Sequence, residues 1–300
     1  MQWLSEHFDF YRRVLAVLCM LPLSVGPTFA EDRAPTASSA KGDKSRFNLF
    51  NPTPPPLLRQ MSADRPDKTD SAFTVDAGHF QVEMDFANFT YDRYNHEHSR
   101  ISGFEISPMN LKVGLFNNLD AQLVLSPYRW LHLEDTTTHT VVRKSGFGDV
   151  TPRLKLNLVG NDGGAFALAL MPFVKLPTSQ DHLGNRSVEG GLKVPYSFDV
   201  PDWDVAAQTE IDIIHSAGSS YHPEFINSLS IGRSVLGKLS YYVEFFTNVS
   251  AEAHSDWVGT FDTWFSYELN ENLRLDAGVY LGVTRAAEDW HPFAGMSVRF

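Results

Sequence analysis

The feature that most constrains this chain is alternation. From about residue 79 to residue 300, apolar and polar side chains trade places at nearly every step within short segments. In "HFQVEMDF", Phe80, Val82, Met84 and Phe86 share one face, while Gln81, Glu83 and Asp85 share the other. A period of two belongs to strands, whose successive side chains point to opposite faces. The pattern recurs in "NLKVGLF", "LDAQLVL", "PRLKLNL", "WDVAAQTEIDI", "LSYYVEFF", "VGTFDTWFSYEL" and "LRLDAGVYLG". Twelve such segments lie near 79–92, 102–115, 119–131, 147–159, 165–176, 188–198, 203–215, 224–234, 238–249, 256–268, 272–283 and 291–300. No helical period competes with them.

A secreted β-sandwich also presents one apolar and one polar face. The connections separate the two folds. Those near 116–118, 160–164, 199–202, 235–237 and 269–271 are short and built from Asn, Asp, Gly and Pro; the intervening ones are mostly longer and polar. Strict alternation of short and long is the mark of an up-and-down barrel. The expected fold is therefore all-β: a transmembrane up-and-down antiparallel β-barrel of about 12 strands with both termini periplasmic. Tyr91, Tyr94, Tyr128, Trp130, Trp257 and Trp290 fall near one set of strand ends, and Phe116, Phe198, Trp203, Tyr267 and Phe300 near the other. Two aromatic girdles at the headgroup level have this arrangement.

The front of the chain differs. Arg12 and Arg13 precede an apolar run from Val14 to Val25, and Thr28-Phe29-Ala30 offers small residues at cleavage positions. Residues 1–30 read as a signal peptide for export to the bacterial outer membrane. Cys19, the single cysteine, lies within it, so disulfide and thiol chemistry is not expected of the exported chain. Residues 31–71, rich in Pro and Ser, read as a periplasmic linker or partial plug, or simply a solvated arm. Residues 72–300 would form the barrel. The longest uninterrupted apolar run, "AFALALMPFV", is too short for a membrane-spanning helix and suits a strand.

A formal charge of -11 supplies no broad basic field, so no nucleic-acid partner is expected. Outer-membrane lipids, barrel-assembly machinery and a small-molecule solute are the expected partners. Function then rests on the polar face. Glu83, Asp85, Lys112, Arg153, Lys155, Lys193, Asp204, Glu210, Asp212, Arg274, Asp276 and Arg299 are the candidate lumen residues for permeation. Basic side chains on one wall facing acidic ones on another would orient a dipolar solute. Alternatively they pair across a narrow lumen and fill it, since twelve strands lie between barrels that side chains fill and barrels that stay open.

Nine histidines (His96, His98, His132, His139, His182, His215, His222, His254 and His291) fall in or beside the longer connections. A metal-collecting or pH-sensing rim could use them. The densest pair, in "NHEHS", lacks a third nearby ligand, so neither metal nor cofactor is expected. His215-Ser216 and His254-Ser255 are candidate neighbours for a lipid-modifying enzyme, but no nucleophile elbow accompanies them. A channel or transporter is the preferred reading, with a non-conducting structural barrel as the alternative and an enzyme behind both.

Two blocks are distinctive: "DRPDKTD" with "TVDAGHF" after it, and "SGFGDVTPRLKLNL". Together with "NPTPPPLLRQMSA" before them, they resemble the outer-membrane proteins grouped as "meta-pathway of phenol degradation", often labelled simply transporters. The similarity runs from about Phe50 to Phe300. Asp70-Ser71-Ala72-Phe73 stands where that family's pattern leads one to expect Glu-Ser-Pro-Tyr, a mild departure. The resemblance implies an outer-membrane barrel for uptake of small, possibly aromatic, compounds, and it brings no catalytic motif. The terminal Phe300 resembles the signal that such barrels present to their assembly machinery.

Overall fold

The computed structural model describes residues 43–93, 98–216 and 220–300. The expected signal peptide, the first part of the linker, Tyr94 and His96 lie outside the described residues. Fifteen strand segments follow one another along the chain: β1 (Phe80–Asp92), β2 (Ser99–Ile106), β3 (Met109–Phe116), β4 (Leu119–Leu125), β5 (Tyr128–Asp135), β6 (Val141–Gly146), β7 (Thr151–Val159) and β8 (Phe166–Lys175). β9 (Glu189–Val200), β10 (Trp203–His215), β11 (Tyr221–Leu236), β12 (Leu239–Ser250), β13 (Val258–Asn270), β14 (Leu273–Gly282) and β15 (Trp290–Arg299) complete them. All pair antiparallel in one sheet, and β15 pairs with β1, so the sheet closes on itself.

Three pairs of segments are single strands with an interruption. β2 and β3 both lie between β1 and the β4/β5 pair, with the break at Ser107, whose φ of 55° is left-handed. β4 with β5, and β6 with β7, are likewise continued across short gaps. The result is a closed barrel of twelve strands, as the alternation predicts. The expected short connections are tight turns at 117–118, 201–202, 237–238 and 271–272, and a glycine-rich one at 160–165. A bulge between Asp85 and Ala87 lets Phe86 and Ala87 both face outward and shifts the inward set to Asn88 and Thr90. Asn88 donates to Asp85 and Thr90 meets His291, so both sides of the bulge still feed the polar interior.

The burial pattern is the inverse of a water-soluble protein's. On β7, Leu154, Leu156 and Leu158 are exposed, whereas Lys155 is 0% and Asn157 3% exposed. Phe80, Phe116, Ile211, Phe225, Leu229, Phe245 and Phe265 add to the outer apolar surface. Burying ladders in water would waste this surface; in hydrocarbon it is the solvated face, and barrel closure leaves no unpaired edge. Trp290 packs beside Phe89 and Tyr91 near one rim, and Trp130 stacks on Phe104 at 5.4 Å. Trp203, Tyr267 and Phe300 are exposed near the opposite rim, where the girdle residues were expected.

Ahead of β1 the chain turns into the barrel. Thr53, Met61, Asp64, Thr69, Asp70, Ala72, Thr74, Val75, Asp76 and Ala77 are all buried. We refer to 53–77 as the inner segment. Near its end it crosses β3 so closely that a Cβ on Gly114 would lie 2.1 Å from the Asp76 carbonyl oxygen. Only glycine lets the two backbones meet there. Gly295 does the same for a side chain, since a Cβ at that position would lie 2.5 Å from the Arg65 guanidinium.

Candidate functional site

The inner segment is held by charges of both signs. Asp64 takes ion pairs from Lys112 (2.5 Å) and Lys155, and its backbone N–H donates to both carboxylate oxygens of Glu83. Arg65 donates to Asp85 at 2.6 Å and binds Asp276 with two nitrogens. Lys68 pairs with Asp262 at 3.1 Å and sits against the rings of Phe246 and Tyr280. The Thr69 N–H donates to Glu244 at 2.8 Å. Asp70 accepts from Lys193 at 2.8 Å, and its N–H donates to Gln208. Farther along, Asn157 donates to the Ala72 carbonyl, the Val75 N–H donates to Asp120, and Asp76 gathers Lys44, Arg59 and Arg299 at 3.4–3.6 Å. Apart from Lys44 and Arg59, which precede β1, these partners stand on strands all round the barrel.

Electrostatics follow from this seating. Burial disfavours the Asp64 carboxylate, but Lys112 and Lys155 outweigh it and hold the carboxyl well below its usual range. Burial also opposes the Arg65 charge, and Asp276 and Asp85 reverse that, holding it more firmly cationic. Asp67 has no such cation: burial and then the neighbouring Glu244 push it well above the ordinary carboxylate value.

The wall residues form rows. On β3, β7, β10, β11 and β12, Lys112, Lys155, Gln208, Ser228 and Glu244 touch the inner segment. Two residues farther from the short turns on the same strands stand Asn110, Arg153, Glu210, Ile226 and Phe246, and these line a cavity of about 410 Å³. Asp64, Arg65, Asp67, Lys68 and Asp70 form its floor. The cavity is thus a vestibule on the side of the longer connections. On the other side of the segment, Tyr242 stacks on the buried Trp264 at 5.2 Å with planes 2° apart, and its hydroxyl donates to Asp204. Gly232 makes room, because a Cβ there would lie 2.0 Å from the Tyr242 ring.

Of the residues expected in the lumen, Glu83, Asp85, Lys112, Lys155, Lys193, Asp276 and Arg299 contact the inner segment directly. Arg153 comes within 3.6 Å of Asp70. Glu210 accepts from Gln208 and lies 3.5 Å from Lys193, Arg274 pairs with Glu268 at 2.8 Å, and Asp212 keeps one carboxylate oxygen buried without a partner. Neither wall-to-wall pairing nor an open transverse field describes most of them: their counter-ions come from the segment. Gln208, Glu244, Asp262 and Tyr280 were missed. Alternation places each on the inner face, yet the complementary charges of "DRPDKTD" were the signal that would have matched them to it.

The model of the family described as "Putative MetA-pathway of phenol degradation" matches residues 63–300. The chain belongs to this family. Its membership covers the second half of the inner segment as well as the barrel, so the charged floor lies within the family region. Among solved structures, the COG4313 outer membrane channel from Pseudomonas putida F1 is similar at 13% identity and a TM-score of 0.55, over 74% of this chain and 95% of that one. The translocator domain of the autotransporter NalP from Neisseria meningitidis is similar at 8% identity and a TM-score of 0.50, over 79% and 90%. At these identities the likeness is one of fold. No curated protein matches the chain in sequence.

The other sites weighed from the sequence resolve differently. Among the described residues no group of three or more His, Cys, Asp or Glu is placed to hold a metal ion. Ser216 Oγ lies 2.6 Å from His222 Nδ1, and the His215 ring packs on Tyr221 instead. Ser255 Oγ donates to the carbonyls of Ser250 and Glu252. Phe300 pairs its backbone with Phe80 and leaves its ring 69% exposed.

Proposed function

We propose that the chain is an outer-membrane channel for passive or facilitated uptake of small organic solutes, entered from the longer connections and restricted midway by the inner segment. The carrying observation is the vestibule: a 410 Å³ cavity inside an apolar-walled barrel, floored by Asp64, Arg65, Asp67, Lys68 and Asp70. Family membership and the fold shared with an outer membrane channel support the reading. Short turns and both termini then lie on the periplasmic side, lipid covers the outer wall, and the signal peptide and assembly machinery deliver the chain. Twelve strands enclose enough width for a solute of modest size only if the segment is skirted or shifted. Ion pairs that are individually exchangeable suit a floor that moves.

The burial of the segment over 61–77, where no residue is exposed, also favours a second reading, a non-conducting structural barrel. Planar-bilayer recording of the purified, refolded chain separates them. Unitary currents that change when Lys68→Ala loosens the floor are expected of the channel. Silent membranes with a protein that shows heat-modifiable gel migration would leave the structural reading in its place.

A further inference from the structure

Four cations line the vestibule, and three hydrogen-bond to side-chain acceptors. Arg65 bonds Asp85 and Asp276, Lys68 bonds Thr260 and pairs with Asp262, and Lys193 bonds Asp70. Arg153 is different. Its nearest carboxylate oxygen, on Asp70, is 3.6 Å from Nη1, an ion pair beyond hydrogen-bond reach, and its side chain is 18% exposed. A guanidinium carries five donors in a rigid fork, and one held only by a long ion pair in a partly buried site has donors left for an acceptor. Planar bidentate acceptors, carboxylates above all, fit that fork.

The remaining wall narrows the class. Met109, Val124, Ile226 and Phe246 give the cavity an apolar side, and its volume falls among clefts for small organic molecules, roughly 300–1,000 Å³. The acids facing it are largely spent. Asp64 is held by Lys112 and Lys155, Glu83 by Lys112, Asp70 by Lys193, and Glu210 by Gln208. Asp67, pushed toward its neutral form, opposes an anion only weakly.

We propose that the vestibule binds a small amphiphilic carboxylate, its carboxyl on Arg153 and its apolar body against Met109, Val124, Ile226 and Phe246. This rests on the reading of the lumen as a solute route and names the solute's class. The bound carboxylate also competes with Asp70 for the cationic pair Arg153 and Lys193, which places it where it can weaken the floor.

The test is ligand-observed NMR titration of the refolded full chain with benzoate, benzyl alcohol and acetate, beside Arg153→Gln and Arg153→Lys variants checked by heat-modifiable migration. Benzoate should bind at least about tenfold more tightly than benzyl alcohol, the scale of a charge-assisted hydrogen bond, and at least about tenfold more tightly than acetate, the scale of burying an aromatic ring. Arg153→Gln should lose at least about tenfold for benzoate and leave benzyl alcohol unchanged, with Arg153→Lys between. Equal affinities for the three probes, or full benzoate affinity in Arg153→Gln, overturn the site. Unitary currents from a preparation that fails to bind benzoate overturn the carboxylate site and leave the channel standing. Benzoate binding lost in Arg153→Gln, without currents, overturns the channel and leaves the site.

Discussion

Changing Asp64 to Asn should open the inner segment while leaving the barrel closed. The substitution keeps the side chain's shape and removes one charge that serves two buried lysines. Lys112 retains Glu83 at 2.5 Å, but Lys155, 0% exposed, is left with no carboxylate within ion-pair distance among the described residues. Breaking one partner out of a buried pair costs about 3–5 kcal/mol. The inter-strand ladders of β3, β4 and β7 do not pass through Asp64, so the cost falls on the seating of the segment. Cys19 is the only cysteine in the chain, which permits a reporter: Cys19→Ser with Ala72→Cys, a position 0% exposed. Thiol labelling of that residue in refolded protein should rise by about two to nearly four powers of ten in Asp64→Asn, at 1.36 kcal/mol per factor of ten. Adding Lys155→Met should recover most of the protection, because removing both charges of a buried pair is nearly neutral. Labelling unchanged within about threefold, in protein that still shows native heat-modifiable migration, would refute the lock.

Acidity should act with a defined sign. Asp64 faces Lys112, Lys155, Glu83 and Asp120, and its depressed carboxyl contributes stability above the unfolded value of about 3.9, lost as pH falls further toward the folded one. Asp67 is raised by burial and by Glu244, so its protonation as pH falls toward the unfolded value of about 3.9 favours the seated segment. Bilayer currents attributable to release of the segment should therefore be no larger at pH 5 than at pH 7 and grow only below about pH 4; growth between 7 and 5 would contradict this assignment. Removing Phe300 should lower the amount of barrel recovered from membranes, since its backbone bonds to Phe80 help join the first and last strands. Unitary conductance of the protein that does insert should be unchanged, and undiminished membrane levels would count against the role.

How much of this was legible depends on what kind of regularity each feature has. The barrel was readable because alternation is local: Lys155 between Leu154 and Leu156 announces its face without reference to any other strand. The bulge at Asp85–Ala87 and the breaks at Ser107 and between β4 and β5 were not, because a single extra or strained residue leaves the apolar count almost unchanged. Most of the candidate lumen residues contact the segment or one another, a pairing that was not foreseen. Asp64 and Lys155 are 91 residues apart, and Arg65 and Asp276 are 211 apart, so no spacing rule connects them.

The pairing nevertheless has a logic that explains why the segment carries charges at all. Replacing buried ion pairs with apolar contacts is often neutral or stabilising, so charge is a poor device for simply filling a barrel. It is a good one for fixing register. Asp64, Arg65, Lys68 and Asp70 run minus, plus, plus, minus, and meet Lys112 and Lys155, then Asp85 and Asp276, then Asp262, then Lys193. Sliding the segment toward Arg65 in the Asp64 position would set a guanidinium against two buried ammonium groups. An apolar filler would tolerate such a slip; this one has a single seat. The same charges make the seat conditional, because a solute carboxylate in the vestibule offers Arg153 and Lys193 an alternative to Asp70. A floor that holds one position until an anion arrives needs paired charges, and hydrophobic packing would not provide that condition.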